Sequence, residues 1–523
     1  MSSLWMQMAN DFGKADLLLL FLAALVLVLF LRRNPNGKAS LPFPLPPGPR
    51  GLPLVGNLPF IEPNLHVYFT RLAKTYGPVF RLCLGYKPLT VVSSPLAARE
   101  LFKDQDVAFA NHDVPAAFRF CIGTAPDVLW SPYGPTWQKL RKITATHLLN
   151  SRSMEATAPL RRKEVRLAVA AVWERAKAGE AMELRETLFQ MALNTTTRML
   201  WGERVDGEGE GRMFRLAIEG ILDHFIMPNV ADFYPVVAPL DPQRYGRKIK
   251  RFLMSMDEYL NRLVQSRETA VSEREVEEKK MPRDLLEKLL ELMHKGDPLL
   301  SSFCVADLRH LFATIIGAST DNTTTTIEWA MAELLYEPAR MRKAQQELDT
   351  VVGRDRPVEE SDIPQLRYLG AVVKENLRLH PPVPLLVPHL PSSDCAAGGF
   401  AIPAKTAVII NAWAIHRDPS RWEDPEEFKP ERFLRESREQ CEFLSGNEFG
   451  YLPFGAGRRV CAGMALAERM ILFSLASLLH SFEWWLPEGA HLKLAEIFGF
   501  VLRKAEPLVV VPEARLGKPE LYL

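Results

Sequence analysis

The chain has 523 residues, 47% of them hydrophobic, and a formal net charge of +1. A balance this close to zero gives no charge excess that would attract nucleic acid, so nucleic acid is not an expected partner. The six cysteines form no Cys-x-x-Cys pair, which argues against a zinc site or a disulfide framework and fits a reducing cytosolic environment.

The first predicted element is an uninterrupted apolar run from Leu17 to Leu31. A helix of this length spans roughly 22 Å, less than the ~30 Å of a hydrocarbon core, so a removed signal peptide is the competing interpretation. Arg32 and Arg33 follow the run in place of a small-residue cleavage site, which favours an uncleaved signal anchor. We therefore expect residues 1–33 to cross a membrane once, with the remainder in the cytosol by the positive-inside rule.

Residues 34–56 form a predicted hinge, because the stretch Leu41–Pro49 reads LPFPLPPGP and proline-rich segments are stiff and extended. One globular domain, residues 57–523, follows. Apolar residues three and four apart between about 135 and 380 predict helices. Strand-like stretches at 78–93, 408–411 and 508–511 predict a small β region. The expected fold is therefore mainly α with a small β region.

Two pairs of polar residues lie within single predicted helices. Trp137 and Arg141 are one turn apart, so an indole N–H and a guanidinium share a face that suits a carboxylate. Glu375 and Arg378 are related as i and i+3. Taken alone, the second pair could be an ordinary surface ion pair of little energetic value.

The most informative segment is Phe454–Gly463, which reads FGAGRRVCAG and precedes an apolar helical pattern. A cysteine thiolate pushes electron density onto haem iron and favours cleavage of the O–O bond. Glycines let the backbone approach a flat macrocycle, and N–H groups at a helix start stabilise the sulfur of Cys461. Arg459 supplies a cation for a haem propionate. A lone cysteine is usually a small buried hydrophobe, but this surrounding pattern favours a metal ligand.

The segment resembles the haem-binding loop of the cytochrome P450 superfamily, Phe-x-x-Gly-x-Arg-x-Cys-x-Gly, at every specified position. Over about residues 40–515 the chain is similar to the plant microsomal type. The resemblance implies the P450 fold behind an N-terminal anchor, with haem b whose iron takes Cys461 as axial ligand. It also implies that Trp137, Arg141, Arg459 and His389 contact the haem propionates, although a lone histidine such as His389 is more often structural.

The resemblance implies two further sets of residues. Glu375, Arg378 and Arg432 would form a buried network that holds the cysteine loop in place. The substrate pocket would be mostly apolar and would accept a small lipophilic molecule. The residues expected to line it are Phe118, Phe120, Ala318, Val383 and Phe500.

The segment Gly317–Trp329 resembles the oxygen-binding helix of the family but departs from its pattern, Gly/Ala-Gly-x-Asp/Glu-Thr-Thr/Ser. Asp321 matches the acid, Asn322 stands at the usual threonine, and Thr323 follows. The departure matters because a hydroxyl and an ordered water deliver protons during oxygen activation, whereas an amide has no titrating proton near neutral pH. Either these three residues hold a water that does the same task, or the main reaction needs no such delivery.

The resemblance implies a monooxygenase of the endoplasmic reticulum membrane, supplied with electrons from NADPH by a partner reductase. Its substrate would be a small lipophilic plant secondary metabolite, either a terpenoid or a phenylpropanoid or flavonoid. One alternative is haem-dependent dehydration of an arylalkyl aldoxime to a nitrile, alone or followed by hydroxylation. A third is a catalytically silent haem-binding protein, against which the complete cysteine loop and Asp321 argue.

Overall fold

The computed structural model describes residues 42–122, 125–274, 284–434 and 449–523. The predicted anchor, residues 1–33, and the first part of the hinge lie outside the described residues. Within them, one helix, Met464–Ser481, is long and apolar enough to cross a membrane, but 67% of it is buried in the protein. It is therefore a core helix.

Helices make up most of the described chain, in agreement with the expected fold class. They are α1 (Leu65–Tyr76), α2 (Pro95–Arg99), α3 (Ala116–Ile122), α4 (Pro135–His147), α5 (Ser151–Ala156), α6 (Ala158–Ala178), α7 (Leu184–Trp201), α8 (Arg212–Ile226), α9 (Val230–Phe233), α10 (Tyr245–Arg274), α11 (Leu285–His294), α12 (Val305–Tyr336), α13 (Pro338–Val351), α14 (Arg367–Leu379), α15 (Ala412–Ile415) and α16 (Met464–Ser481).

The described strands are short and form four small sheets. They are β1 (Val79–Leu84), β2 (Lys87–Val92), β3 (Met182–Glu183), β4 (Cys395–Ala397), β5 (Phe400–Ile402), β6 (Ala407–Ile410), β7 (Phe482–Trp485), β8 (Glu496–Ile497), β9 (Arg503–Lys504) and β10 (Val509–Ala514). The predicted hairpin is β1 with β2, and β6 joins β2 in parallel. The pattern at 508–511 falls in β10, which pairs with β3 and β7.

The long helix α12 runs through two separate parts of the hydrophobic core. Its first half, with Phe312 and Ile316, packs with α7, α8, α10 and α11. Its second half, from Ile327 onward, packs with α14 and α16. The stretch between them, residues 317–326, consists of small and polar residues. The middle of α12 therefore lies between the two parts of the core, and the candidate site is beside it.

The described part of the hinge lies along the first sheet. The Arg81 N–H donates to the carbonyl of Pro47 at 2.8 Å, and a side chain on Gly48 would collide with the Arg81 carbonyl. The Asn57 amide donates to the Pro49 carbonyl at 3.3 Å. Residues 47–49 are therefore fixed to the domain, so this part of the predicted hinge, residues 34–56, is not a free linker.

Candidate functional site

A cavity of about 390 Å³ lies between the middle of α12 and the loop that precedes α16. Cys461 lies on the loop side and retains accessible surface. The rest of the lining is mainly aliphatic and aromatic. Four residues predicted for the substrate pocket, Phe118, Ala318, Val383 and Phe500, line this cavity together.

Phe120 does not line the cavity, which corrects the expectation that it joins the other four. Its side chain is 42% exposed. Its ring lies against Gly246 of α10, so closely that a Cβ at Gly246 would be 2.6 Å from Cδ1 of Phe120. Phe118 and Phe120 are two positions apart on the short helix α3, so they face different sides of it.

The cysteine loop is fixed by tight backbone geometry. Gly455 and Gly457 adopt positive φ angles of 72° and 68°, which other residues reach only at a cost. The Cys461 N–H donates to the carbonyl of Phe454 at 3.0 Å, closing the loop. Burial raises the pKa of the Cys461 thiol, whereas the backbone N–H of Gly463 and the positive charge of Arg141 lower it. A bound metal would add the missing stabilisation of the thiolate.

Two guanidinium groups face the same region of the cavity. Arg141 donates to the carbonyl of Val460 at 2.7 Å, and Arg459 donates to the carbonyl of Ser131 at 2.6 Å. Burial and the neighbouring Arg141 lower the pKa of Arg459 to about 10. Among the described residues neither guanidinium forms an ion pair with a carboxylate, and Asp127 offsets the lowering of the Arg459 pKa only in part, so the cavity keeps an excess of positive charge that an anion would relieve.

Two histidines that are far apart in sequence meet beside these cations. The ring centroids of His112 and His389 are 5.0 Å apart, and both rings line the cavity. His389 Nδ1 donates to the carbonyl of Phe109 at 2.7 Å, which leaves Nε2 free of that bond. Burial and Arg459 lower the pKa of His389 to about 4. No local sequence pattern singles out His112, because its contact with His389 joins residues far apart in the chain.

Trp137 lines the cavity and contacts Arg459. Its indole N–H donates to the carbonyl of Val128 at 2.8 Å, and its ring lies 4.3 Å from the Arg459 guanidinium. The indole therefore also positions Arg459 through a cation–π contact, and its contact with a haem propionate stays a prediction. A thiol, unpaired guanidinium groups and a flanking histidine around one cavity fit a metal-bearing dianionic ligand such as haem.

The predicted charge network is present and buried. Arg378 donates to Glu375 through two nitrogens at 2.7 and 2.8 Å, and Arg432 donates to Glu375 at 3.2 Å. Their side chains are 0%, 0% and 8% exposed. The backbone N–H of Lys429 also donates to Glu375 at 2.7 Å. The two guanidinium groups share one carboxylate, and their remaining N–H groups donate to backbone carbonyls such as those of Pro425 and Asp424, so the buried polar groups are hydrogen-bonded.

His416 joins this network to the segment that leads into the cysteine loop. Its carbonyl accepts a bond from Arg378 at 2.9 Å, and its Nδ1 lies 3.2 Å from the Arg378 carbonyl. Its Nε2 accepts from the backbone N–H of Leu452 at 2.7 Å. Burial and the charges of Arg378 and Arg417 lower the pKa of His416 to about 3. The ring is thus neutral, as an acceptor at Nε2 must be.

The three residues predicted for proton delivery are separated by the helix. Asn322 and Thr323 line the cavity, and the Asn322 side-chain amide donates to the Ala318 carbonyl at 2.8 Å. Asp321 does not line the cavity and is 0% exposed. Neighbouring helical residues point about 100° apart, so the acid and the amide face different sides of α12. This corrects the expectation that all three share one site.

Asp321 is held by two arginines on the far side of α12. Arg185 of α7 pairs with Asp321 and also with Glu328 at 2.9 Å. Arg503 of β9 donates to the second Asp321 oxygen at 2.9 and 3.1 Å. The acid is therefore committed to salt bridges and is not a free proton donor in the cavity.

The β8–β9 hairpin, which carries Phe500 into the cavity, is anchored at both ends. Glu496 in β8 lies 3.2 Å from His66 Nε2 and 3.1 Å from His380 Nδ1. These histidines and Arg417 hold the pKa of Glu496 well below its usual range, despite burial. At the other end, Arg503 binds Asp321. The position of Phe500 is thus set by ionic contacts outside the cavity.

Most of the chain is similar to known proteins. The profile of the family described as Cytochrome P450 matches residues 46–511. "Flavonoid 3'-monooxygenase CYP75B137" of Crocosmia x crocosmiiflora is 36% identical, over 95% of this chain and 97% of that protein. "Cytochrome P450 76C2" of Arabidopsis thaliana is also 36% identical, over 95% and 97%. A solved structure, "Zebra fish cytochrome P450 another structure with Progesterone", superimposes with a TM-score of 0.72 at 28% identity, covering 86% of this chain and 99% of that one.

Proposed function

This chain belongs to the cytochrome P450 family, and we propose that it hydroxylates a small lipophilic plant secondary metabolite, either a terpenoid or a phenylpropanoid or flavonoid. The main support for this proposal is the cavity, which has Cys461 on one side and aliphatic and aromatic side chains on the other. Such a lining binds lipophilic molecules and leaves few polar groups to orient them. The plant relatives named as flavonoid monooxygenases support this substrate class.

When bound, haem supplies the iron at which dioxygen is activated and one oxygen atom is transferred into a C–H bond. Cys461 would hold that iron, and Arg141, Arg459 and His389 would hold the two propionates. The negative charge of the propionates would raise the pKa of His389 from its value of about 4. Asn322 and Thr323 present an amide and a hydroxyl to the cavity and hold ordered water there. Asp321 contributes only indirectly, by fixing α12 to its arginine partners.

The electrons would come from NADPH through a partner reductase, at the endoplasmic reticulum membrane. The apolar run Leu17–Leu31 and the basic pair after it support a single anchor with the domain in the cytosol. Deletion of residues 1–33 is expected to release most of the protein from membranes and to preserve the haem spectrum. Haem loss on this deletion would show that the run belongs to the folded core.

The substrate class is tested by co-expressing the full chain with a plant reductase and supplying terpenes, flavonoids and arylalkyl aldoximes in parallel. We expect NADPH-dependent hydroxylation of a terpene or flavonoid, and none with Cys461→Ser. Nitrile formation from an aldoxime without hydroxylated products would overturn the proposal. The dehydration reaction is not favoured, because plant relatives of this chain that are named for a reaction are monooxygenases.

A further inference from the structure

The mainly apolar cavity contains a polar corner formed by Asp127, His310 and Thr314. All three line the cavity. Asp127 belongs to the loop before α4, and the other two lie on α12 four residues apart, so they share one face of that helix. None of the three is among the residues assigned above to the haem or to the cysteine network.

Asp127 is firmly held at this corner. One carboxylate oxygen accepts from the backbone N–H groups of Leu129 at 2.6 Å and Trp130 at 2.8 Å. The other oxygen is bonded by the hydroxyl of Thr314. Burial raises the pKa of Asp127, and the three donors and His310 act against this rise. The carboxylate is thus the acceptor of three hydrogen bonds.

This arrangement fixes the direction of the hydrogen bond at Thr314. The two backbone N–H donors on one oxygen and the positive charge of Arg459 favour the ionised form of Asp127 against burial. An ionised carboxylate has no proton to donate, so the Thr314 hydroxyl gives its only hydrogen to Asp127. The Thr314 hydroxyl oxygen can then only accept a hydrogen bond from a ligand in the cavity. A ligand that offers a hydroxyl is satisfied at this position, and a ligand that offers an ether oxygen is not.

The corner also has a defined distance from the reacting region. Thr314, Ala318 and Asn322 are spaced by four residues along one stripe of α12, and each lines the cavity. At about 1.5 Å per residue, Thr314 lies roughly 6 Å from Ala318 and roughly 12 Å from Asn322 along the helix axis. A ligand that spans this length has the size of two linked rings.

We propose that Asp127 and Thr314 form a subsite for a hydroxyl group of the substrate. The substrate is then a lipophilic phenol or alcohol whose hydroxyl lies roughly 6–12 Å from the carbon that is attacked. This inference rests on the proposed function and narrows it, because it selects hydroxylated compounds from the lipophilic class.

The test compares 4-phenylphenol, 4-methoxybiphenyl and biphenyl as ligands of the purified, haem-loaded full chain. Dissociation constants are read from the shift of the haem absorption band on binding. We expect the wild type to bind the phenol about tenfold more tightly than the methyl ether, the value of one good hydrogen bond. Thr314→Val should remove this preference, and Thr314→Ser should restore it.

Asp127→Asn gives the sharpest variant, because it reverses the polarity of the corner without removing the backbone contacts. The asparagine oxygen can still accept from Leu129 and Trp130, and its NH₂ can donate to Thr314. The Thr314 hydrogen is then free for an ether oxygen, so the preference should shift toward 4-methoxybiphenyl. Biphenyl binding should change little in any variant.

Thr324→Val is the matched control, since Thr324 lies on the same helix, is fully buried and bonds only to the Thr320 carbonyl among the described contacts. It should keep the wild-type preference. Equal binding of phenol and ether by the wild type, or a preference that survives in Thr314→Val, overturns the subsite. Because binding is read without turnover, a failure to oxidise any lipophile would count against the proposed function alone.

Discussion

The two walls of the cavity are built on opposite principles. Behind the cysteine loop and outside the cavity lining, Glu375, Arg378, Arg432 and His416 are buried and bonded several times over. On the α12 side, small and apolar residues face the cavity together with polar groups such as Thr314, Asn322 and Thr323. The cysteine side must hold one fixed cofactor, so we expect substitutions of the residues that support it to be poorly tolerated. The α12 side determines which molecule fits, so single substitutions there are expected to alter selectivity before stability.

The largest effect is expected from Cys461→Ser. The variant should lose the ~450 nm band of the reduced carbon monoxide complex, which reports a thiolate ligand, and all monooxygenase activity. Cys304→Ser is the control, because Cys304 caps α12 and serine is a favoured residue at that position. If Cys461→Ser kept the band, another residue would have to be the ligand.

Arg378→Ala should show how far the cysteine wall depends on its charges. Removal of Arg378 leaves Glu375 with a single weaker side-chain partner in a fully buried place, at a cost of roughly 3–5 kcal/mol. We expect loss of bound haem and of folded protein, measured by haem content and by thermal unfolding. Arg354→Ala, which breaks an exposed pair with Asp349, should cost less than about 1 kcal/mol. Equal losses would mean that the network does not support the loop.

His416 should make the stability of the cysteine wall depend on pH. The folded protein keeps this ring neutral, with a pKa of about 3, whereas the unfolded chain binds a proton near pH 6.5. The unfolded state therefore holds more protons between these values, so this contribution is present above about pH 6.5 and is lost as pH falls toward 3. The slope contributed by one such group is about 1.4 kcal/mol per pH unit.

Two substitutions separate titration at His416 from its hydrogen bond. His416→Gln keeps an acceptor for the Leu452 N–H but cannot be protonated in this range, so unfolding temperatures should become less steeply dependent on pH. His416→Phe also removes the acceptor and should cost a further ~1–3 kcal/mol at neutral pH. An unchanged slope in both variants would show that His416 does not titrate on unfolding.

The smallest effect is expected on the α12 wall, from Asn322→Thr. The folded domain and its haem spectrum should be unaffected, and product formed per NADPH consumed should hold or rise. The change should stay within about tenfold, the worth of one ~1.4 kcal/mol hydrogen bond in the transition state. Asn322→Val, which removes the polar group, should instead divert NADPH into peroxide. Equal coupling in all three proteins would mean that Asn322 does not take part in proton delivery.

The features that could be predicted from the sequence are those encoded by residues close together in the chain. The cysteine loop and the Glu375–Arg378 pair are encoded by residues close together in the chain, so their spacing was informative. The hairpin β1–β2 and the mainly helical class followed from periodicity for the same reason. The contacts of His416, by contrast, join segments 36–38 residues apart, and Asp127 meets Thr314 across 187 residues. No local pattern records such pairings.

Asp321 shows a different reason for a missed assignment. Its position beside Asn322 and Thr323 suggested a shared site, yet the helix turns it toward Arg185 and Arg503. A sequence motif gives the order of residues along a helix. It does not say which of several adjacent polar residues faces the cavity. The arginines that bind Asp321 belong to α7 and β9, far from the motif in sequence.

The anchoring of the β8–β9 hairpin limits how this enzyme can be redesigned. An exchange of residues 496–504 with the equivalent segment of a relative looks like a simple way to replace Phe500 and change substrate scope. Such a chimera would also replace Arg503, a counter-ion of Asp321, and Glu496, the partner of His66 and His380. Libraries aimed at the cavity should therefore keep Glu496 and Arg503 constant and vary only the residues between them.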